Sequence, residues 1–188
     1  MLSSLSPYQL TNSNFFMMIL ETERLYIREF SYDDAAFIMA LVNNPTWLEF
    51  IGDRNVNNQD DAHRYLRDKI MYLYTTYGYG LWLLEDKVAH TPIGMCGLVN
   101  RDFLSDADIG FALLPEYTGK GFAFEAARAV LDYGYDVLHL PKIVAITLPT
   151  NDASIKLLGR LGMHTTSMVK PPESANALHL FVPKNIGG

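Results

Sequence analysis

The sequence lacks two features that would narrow its class at once: a set of cysteines and a cluster of positive charge. Its single cysteine, Cys96, cannot form a disulfide within the chain, so no disulfide framework is expected. The 15 Lys and Arg residues stand singly among 21 Asp and Glu residues, and the formal net charge is −6. Because nucleic-acid binding depends on clustered basic residues that neutralise phosphates, we expect no nucleic acid as a partner.

Long hydrophobic runs are also missing. The most apolar stretch near the start of the chain covers residues 15–20, whereas a membrane-spanning helix needs about 20 residues. The first basic residue is Arg24, so residues 1–23 do not resemble a secretory signal or a transit peptide. We therefore expect no membrane association and a cytoplasmic location. The 5 histidines are dispersed without a pair at helical spacing, so no metal site is expected.

Regular hydrophobic periodicity begins near Leu20. Residues 1–18 are rich in Ser, Asn and Thr and lack such periodicity, so we expect a flexible leader there, before one domain over residues 19–188. The alternating strand and helix patterns of that domain predict a mixed α/β fold with the order β-αα-βββ-α-β-α-ββ. The predicted helices lie at 32–43, 58–77, 122–134 and 152–161, and the predicted strands at 25–28, 81–84, 93–98, 108–113, 142–147, 163–169 and 177–182.

The most informative segment is a glycine-containing turn, Thr118-Gly119-Lys120-Gly121-Phe122-Ala123, between a predicted strand and a predicted helix. The first turn of a helix has unpaired N–H groups and a partial positive charge, and glycine lets an anion approach the backbone. The P-loop pattern fails because position 114 is Leu and position 121 is Gly. The dinucleotide fingerprint fails because position 124 is Phe. The turn therefore predicts a phosphate site of another kind.

The turn resembles the acetyl-CoA pyrophosphate loop of the GNAT N-acetyltransferases, whose pattern is Gln/Arg-x-x-Gly-x-Gly/Ala, with Thr118 in place of the first residue. Two further segments match in order. Residues 151–163 resemble the family's Asn-x-x-Ser/Ala…Leu-Gly-Phe segment. Residues 21–28, Glu-Thr-Glu-Arg-Leu-Tyr-Ile-Arg, resemble the Thr-Glu-Arg-Leu-x-Leu-Arg opening of the RimJ/RimL branch, which acetylates ribosomal-protein N-termini. The resemblance covers about residues 20–183.

This resemblance implies a GNAT fold, a mixed and mostly antiparallel twisted sheet with flanking helices, splayed between its fourth and fifth strands. Acetyl-CoA would enter the gap as a co-substrate, the fourth strand would be 108–113, and no metal is implied. The residues implied to contact the cofactor are Phe111, Ala112 and Leu113 through their backbone at the pantetheine arm, Gly119, Lys120, Gly121, Phe122 and Ala123 at the pyrophosphate, and Asn151 and Ser154 along the cofactor cleft.

Direct transfer of an acetyl group to an amine needs a base for the amine and help for the leaving thiolate. The candidates for the base are Asp108, at the position where several family members place a carboxylate, and the alternatives Glu49 and Asp106. A plain surface role for Asp108 also stays open. Many members carry a Tyr acid where this chain has Leu158, which leaves Ser154 or solvent to protonate the thiolate. A backbone N–H near Leu113 or Leu114 would hold the carbonyl oxygen.

The resemblance therefore predicts an acetyl-CoA-dependent N-acetyltransferase whose acceptor is a primary amine, either a protein N-terminus or a small molecule. The departures at Thr118 and Leu158 leave an alternative open, a non-catalytic acyl-CoA-binding or sensing module on the same fold. A homodimer is compatible with the sequence. Cys96 lies in an apolar strand pattern, which is typical of a packed side chain rather than a nucleophile.

Overall fold

The structure, a computed structural model, describes residues 8–11, 14–172 and 176–184. Within them, nine strands form one sheet in the order β1-β2-β3-β4-β5-β6-β7-β9-β8. The strands are β1 Tyr8–Thr11, β2 Asn14–Glu21, β3 Leu25–Arg28, β4 Leu81–Asp86, β5 Thr91–Val99, β6 Ala107–Leu113, β7 Ile143–Thr147, β8 Met163–Val169 and β9 Leu178–Pro183. The helices are α1 Ala35–Val42, α2 Pro45–Phe50, α3 Gln59–Tyr65, α4 Tyr72–Tyr77, α5 Phe122–Asp136 and α6 Asp152–Arg160.

Helices cover both faces of this sheet, and each face has its own hydrophobic core. Successive side chains of a strand point to opposite faces, so neighbouring residues of β4 enter different cores. Trp82 packs on one face with residues of α5 such as Val130. Leu83 packs on the other face with residues of α1 such as Ile38. Burial on both sides explains why the buried stretches of β4 and β5, Trp82–Leu84 and Ile93–Leu98, contain only apolar residues and glycine.

The sheet opens between β6 and β7, the one parallel pair among the described strands. Their ladder consists of Ala107 opposite Ile143 and Asp108 opposite Val144. Strand β6 then continues to Leu113, while the rest of β7 pairs with β9. We call the gap beyond Asp108 the split. Its closed end is at Asp108, and its open end is where the two strands finish. The predicted splay and the mostly antiparallel α/β sheet are confirmed.

The helices before β4 differ in detail from their prediction. The helix expected at 32–43 is α1, preceded by a 3-10 turn at Tyr32–Asp34. The helix expected at 58–77 is continuous, but its middle, Leu66–Met71, is a π-helix between α3 and α4. Helix α2 was not predicted. Asn44 caps it by accepting a hydrogen bond from the Trp47 N–H at 2.9 Å, and Pro45 occupies its first position.

The segment predicted as a flexible leader differs most. Residues 8–11 and 14–21 form the hairpin β1–β2, and β2 pairs antiparallel with β3, with Leu20 opposite Ile27. The Glu29 N–H also donates to the Met17 carbonyl at 3.0 Å. Backbone pairing, which hydrophobic periodicity does not report, thus adds these residues to the sheet. In the described ranges, no helix is both long and apolar enough to cross a membrane.

Candidate active site

Strand β6 directs only some of its backbone groups into the split. The Leu114 N–H donates to the Ile93 carbonyl at 2.9 Å, and β5 and β6 pair antiparallel with Gly94 opposite Leu113. In an antiparallel pair, every second residue directs both its N–H and its C=O towards the partner strand. The backbone groups of Phe111 and Leu113 therefore point away from β5 and towards the split.

This alternation separates three residues that were predicted together. Phe111 and Leu113 direct their backbone groups into the split, the orientation that a backbone contact with the pantetheine arm requires. The backbone of Ala112 faces Met95 of β5 instead, so the structure does not support Ala112 as a backbone ligand. The Leu114 N–H is already bonded within the sheet. Of the two N–H groups predicted to hold the carbonyl oxygen, that of Leu113 is the one directed into the split.

The glycine turn lies at the open end and leads directly into α5. Gly119 and Gly121 have φ angles of +72° and +86°, a left-handed conformation that glycine adopts without a steric cost. Residues 118–121 are exposed. The first helical bond that α5 forms with this turn runs from the Glu125 N–H to the Gly121 carbonyl at 3.0 Å. The N–H groups before Glu125 lack an intrahelical acceptor, which is the arrangement that binds phosphate.

Thr118, the departure from the family pattern, has a local structural role. Its hydroxyl donates to the Pro115 carbonyl at 2.7 Å and closes the short turn before the loop. Lys120 extends over the ring of Tyr117, with its amino nitrogen 5.6 Å from the ring centroid. The substitution at 118 therefore removes a side-chain contact with the loop but leaves the backbone donors in place.

Helix α6 begins at the open end, directly after β7. The Asn151 side chain caps this helix by accepting a hydrogen bond from the Ser154 N–H at 3.0 Å. Both residues are half-buried. Leu158, at the position of the family's Tyr, is 1% exposed and belongs to the core on the α5 side. The hydroxyl that α6 brings to the open end is therefore that of Ser154.

Asp108 occupies the closed end, where the two strands separate. Its carboxylate accepts a hydrogen bond from the Ile146 N–H at 3.2 Å. In a continued parallel ladder, that N–H would bond to the Ile109 carbonyl. The side chain of Asp108 thus takes the place of a strand carbonyl at the point where β6 and β7 separate.

Asp108 is also the most strongly perturbed carboxylate of the site. It is 1% exposed, and the Arg101 Nε donates to it at 2.6 Å. Burial raises the pKa of Asp108 to about 6, although Arg101 and the Ile146 N–H lower it in part. Burial disfavours the charged form, whereas a nearby cation favours it. The result is a carboxylate that is mainly ionised at neutral pH and becomes protonated just below it.

The other predicted catalytic carboxylates lie in different settings. Asp106 pairs with the Lys142 amino group at 3.2 Å near the start of β6. Glu49 is exposed on α2. Neither has the enclosed position of Asp108 at the split. The structure therefore joins Asp108 of β6 to the backbone of β7 at the split, whereas Glu49 lies exposed on α2.

Two further chemistries are not supported. The Cys96 thiol is fully buried in β5, and burial raises its pKa far above the usual value, so it packs as an apolar side chain. In the part of the chain that the structure describes, no group of His, Cys, Asp and Glu side chains could hold a metal ion.

Sequence reasoning missed two arginines that contact the predicted site. Arg101, in the connection between β5 and β6, pairs with Asp108. Arg24, from the matched segment 21–28, donates to the Lys120 carbonyl at 2.9 Å. The resemblance of residues 21–28 to the family segment includes Arg24, but it does not predict the contact of Arg24 with the Lys120 carbonyl. Nothing in the local pattern marked Arg101, because its partner is set by the β5–β6 connection.

Comparison with known proteins identifies the family. A family model described as an acetyltransferase (GNAT) domain matches residues 24–164. The uncharacterized N-acetyltransferase p20 of Bacillus licheniformis is 31% identical over 163 residues, which are 85% of this chain and 89% of p20. The uncharacterized protein YkkB of Bacillus subtilis is 36% identical over 96 residues, which are 50% of this chain. That match covers 56% of YkkB, so the chain spans little more than half of YkkB's length.

A solved structure shares the fold. The RimL ribosomal L7/L12 α-N-protein acetyltransferase in complex with coenzyme A aligns with a TM-score of 0.75 at 16% identity, covering 88% of this chain and 96% of that one. At that identity the likeness shows the fold alone. The predicted GNAT fold and the predicted class of enzyme are both confirmed by the family match. The chain thus belongs to the GNAT family of N-acetyltransferases.

Proposed function

We propose that this protein transfers the acetyl group of acetyl-CoA directly to a primary amine. The observation that carries the proposal is the split, which runs from the buried Asp108 to the exposed glycine turn. An unpaired strand edge can bind the pantetheine arm, and a helix N-terminus at its end can bind the pyrophosphate. Family membership supplies the identity of the cofactor.

The cofactor would be held mainly by backbone groups. The residues proposed to contact it are Phe111 and Leu113 along the split, Gly119, Lys120, Gly121, Phe122 and Ala123 at the pyrophosphate, and Asn151 and Ser154 at the start of α6. This backbone site reconciles a phosphate ligand with the net charge of −6, because helix N–H groups bind anions without a basic surface.

The chemistry follows from the placement of these groups. The amine nitrogen attacks the thioester carbonyl carbon, a C–N bond forms, and the C–S bond then breaks. The Leu113 N–H would stabilise the oxyanion that develops on the carbonyl. Asp108 lies five residues, about 16 Å of extended strand, from Leu113, so we propose that it accepts the amine proton through a chain of waters. Each of its carboxylate oxygens keeps a second lone pair for such a bond. Ser154 would protonate the leaving thiolate and regain a proton from solvent.

A protein N-terminus is the acceptor that we favour. The observation behind this choice is the segment Glu21–Arg28, which resembles the opening of the RimJ/RimL branch. A small amine is the other acceptor class. The two classes differ in size, so they can be separated with peptides and diamines as substrates.

Turnover tests the proposal. The purified protein is given acetyl-CoA with a panel of N-terminal peptides and small amines, and released thiol is followed with a thiol-reactive dye. Cys96 is buried, so its own reaction with the dye is expected to be slow. Thiol release that depends on an acceptor supports the enzyme. Tight CoA binding without turnover on any acceptor would favour the sensing module, and absence of CoA binding would refute both.

A further inference from the structure

One peptide group of the glycine turn, the one between Lys120 and Gly121, is held by a hydrogen bond from Arg24. The Nη1 group of Arg24, at the start of β3, donates to the Lys120 carbonyl at 2.9 Å. In a trans peptide, the carbonyl and the following N–H point in opposite directions, and the described chain contains no cis peptide bond. The hydrogen bond from Arg24 therefore directs the Gly121 N–H away from Arg24 and towards the outside of the turn.

Arg24 is itself held in place by the helix that the turn begins. Its Nε donates to one Glu125 carboxylate oxygen at 2.6 Å, and its backbone N–H donates to the other at 2.8 Å. The guanidinium carbon also lies 4.3 Å from the ring centroid of Phe122. These contacts fix the arginine on two residues of the first turn of α5.

Glu125 is anchored as firmly as Arg24. The Thr22 hydroxyl donates to it at 2.6 Å, which makes three hydrogen-bond donors with the two groups of Arg24. Burial by itself would raise the pKa of Glu125, but these hydrogen bonds outweigh it and hold the pKa below its usual value. Glu125 therefore stays ionised and keeps Arg24 paired over the pH range in which the protein would work.

The arginine also closes the inner side of the turn. Its Nη2 group would lie 3.3 Å from a Cβ atom placed on Gly121. A Cβ placed on Gly119, by contrast, would have no neighbour within 4 Å. The guanidinium thus fills the space behind Gly121 and leaves the outer side of the turn to a ligand.

We propose that Arg24, Glu125 and Thr22 form a clamp that sets the conformation of the phosphate-binding turn, with Arg24 as its positioning residue. The proposal rests on the proposed function, since it assigns the clamp to CoA binding. Because Glu125 neutralises Arg24, the clamp acts by orientation rather than by added positive charge. It orders the turn before the ligand arrives, so less free energy is spent on ordering the turn during binding.

The experiment compares two ligands that differ at the pyrophosphate. Binding of CoA is measured by calorimetry and binding of pantetheine, which lacks the pyrophosphate, by NMR titration. We expect Arg24→Met to weaken CoA binding by about tenfold or more, the effect of one lost charge-assisted hydrogen bond. Pantetheine binding should stay within about twofold, because the split itself is unchanged.

Two variants control for charge. Arg128→Met removes a positive charge from an exposed position of the same helix, and CoA binding should change by less than about twofold, since exposed charges act weakly. Arg24→Lys keeps the charge but lacks the planar group that bridges Glu125 and the Lys120 carbonyl. It should not restore wild-type affinity. Full recovery in Arg24→Lys would overturn the positioning role.

The outcomes separate the inference from the proposed function. Equal weakening of CoA and pantetheine by Arg24→Met, or unchanged CoA binding in a folded variant, would refute the clamp and leave the proposed function standing. Failure of the wild-type protein to bind CoA would refute the proposed function and the clamp together. A double-mutant cycle adds a second measurement. Glu125→Gln and Arg24→Met should be clearly non-additive, because they disrupt one network.

Discussion

The two ends of the split are made from opposite kinds of group. At the closed end, the buried carboxylate of Asp108 pairs with the partly exposed Arg101, and this carboxylate replaces a strand carbonyl. At the open end, residues 118–121 are exposed and the donors belong to the backbone. The first end lies where two strands separate, and the second is the end that we propose binds an anion arriving from water.

The difference shows how a sheet can contain a binding site. Strands that separate must leave backbone groups unpaired, and a buried unpaired group costs free energy. At the closed end, the Asp108 carboxylate satisfies one such group by accepting a hydrogen bond from the Ile146 N–H. Towards the open end, the unpaired groups of Phe111 and Leu113 become the proposed ligands of the cofactor. We therefore expect substitutions that change charge to be most damaging at the closed end, and substitutions that add bulk to be most damaging at the open end.

The largest effect is expected at the open end, from Gly121→Val. The new side chain meets Arg24 and requires a positive φ that Val rarely adopts. Two lost charge-assisted hydrogen bonds, at about 1.5–3 kcal/mol each, lower CoA affinity by about 100-fold or more. Calorimetry with CoA measures the change. Gly119→Ala is the matched control, because it also has positive φ but open space around it, and its effect should be much smaller.

At the closed end, Asp108→Asn should lower the acetylation rate by about 100-fold, the usual contribution of a general base. Because the pKa of Asp108 in the ligand-free protein is about 6, wild-type kcat/KM should rise with pH through 6 and then level off. The variant should lack that rise. Its CoA affinity should hold, because Asn can still accept the Ile146 N–H. An unchanged pH profile would exclude Asp108 as the base and turn attention to Glu49, Asp106 or water.

Asp108→Ala separates the two roles of this residue. It removes the base and also the acceptor for Ile146, so the freed N–H can bond to the Ile109 carbonyl and extend the ladder into the split. We therefore expect Asp108→Ala, unlike Asp108→Asn, to weaken CoA binding, by about fivefold or more for one lost hydrogen bond. Equal CoA affinity in the two variants would show that Asp108 does not hold the split open.

Arg101→Met, also at the closed end, should have a moderate effect on the pH dependence of the acetylation rate. Arg101 lowers the pKa of Asp108, so its loss moves the midpoint of the rate profile to higher pH by about one pH unit. The activity at pH 6 then falls by about fivefold, while the plateau at high pH is kept. Arg101→Lys should restore most of the wild-type midpoint. A midpoint that does not move would disprove the coupling.

The smallest effect is expected from Ser154→Ala at the open end. A thiol with a pKa near 8.5 leaves without much assistance, so the loss of the hydroxyl should lower kcat by only about threefold. CoA affinity should fall by less than about tenfold, the effect of one neutral hydrogen bond to the cofactor, because the Asn151 cap uses the Ser154 backbone and not its side chain. A loss as large as that of Asp108→Asn would show that thiolate protonation limits the rate.

Much of the fold could be predicted because its signals are local. Hydrophobic periods located α1, α5, α6 and the strands from β3 onward. Helix α2 was missed because Asn43-Asn44-Pro45 ends one helix and caps the next with the same residues. The strands β1 and β2 were missed because their place in the sheet comes from backbone pairing, which leaves little mark on the side-chain pattern.

The site was predictable where one segment builds it. The glycine turn and the cap at Asn151 are each formed by one short contiguous segment, so the geometry of each motif follows from its own residues. Ala112 shows the limit, because a strand's hydrogen-bonding edge depends on its register with β5 and not on the residue itself. Arg24 shows it as well, since its target, the Lys120 carbonyl, lies about a hundred residues away along the chain.

The sequence by itself determined the mixed α/β fold class and the family, and it predicted a backbone-built phosphate site, because glycine placement, helix capping and hydrophobic period act within a few residues. The tertiary structure decided which edge of β6 faces the split, what makes Asp108 a carboxylate of raised pKa, and how Arg24 reaches the phosphate turn. These features depend on strand register and on contacts between distant segments, and only packing the whole sheet brings their partners together.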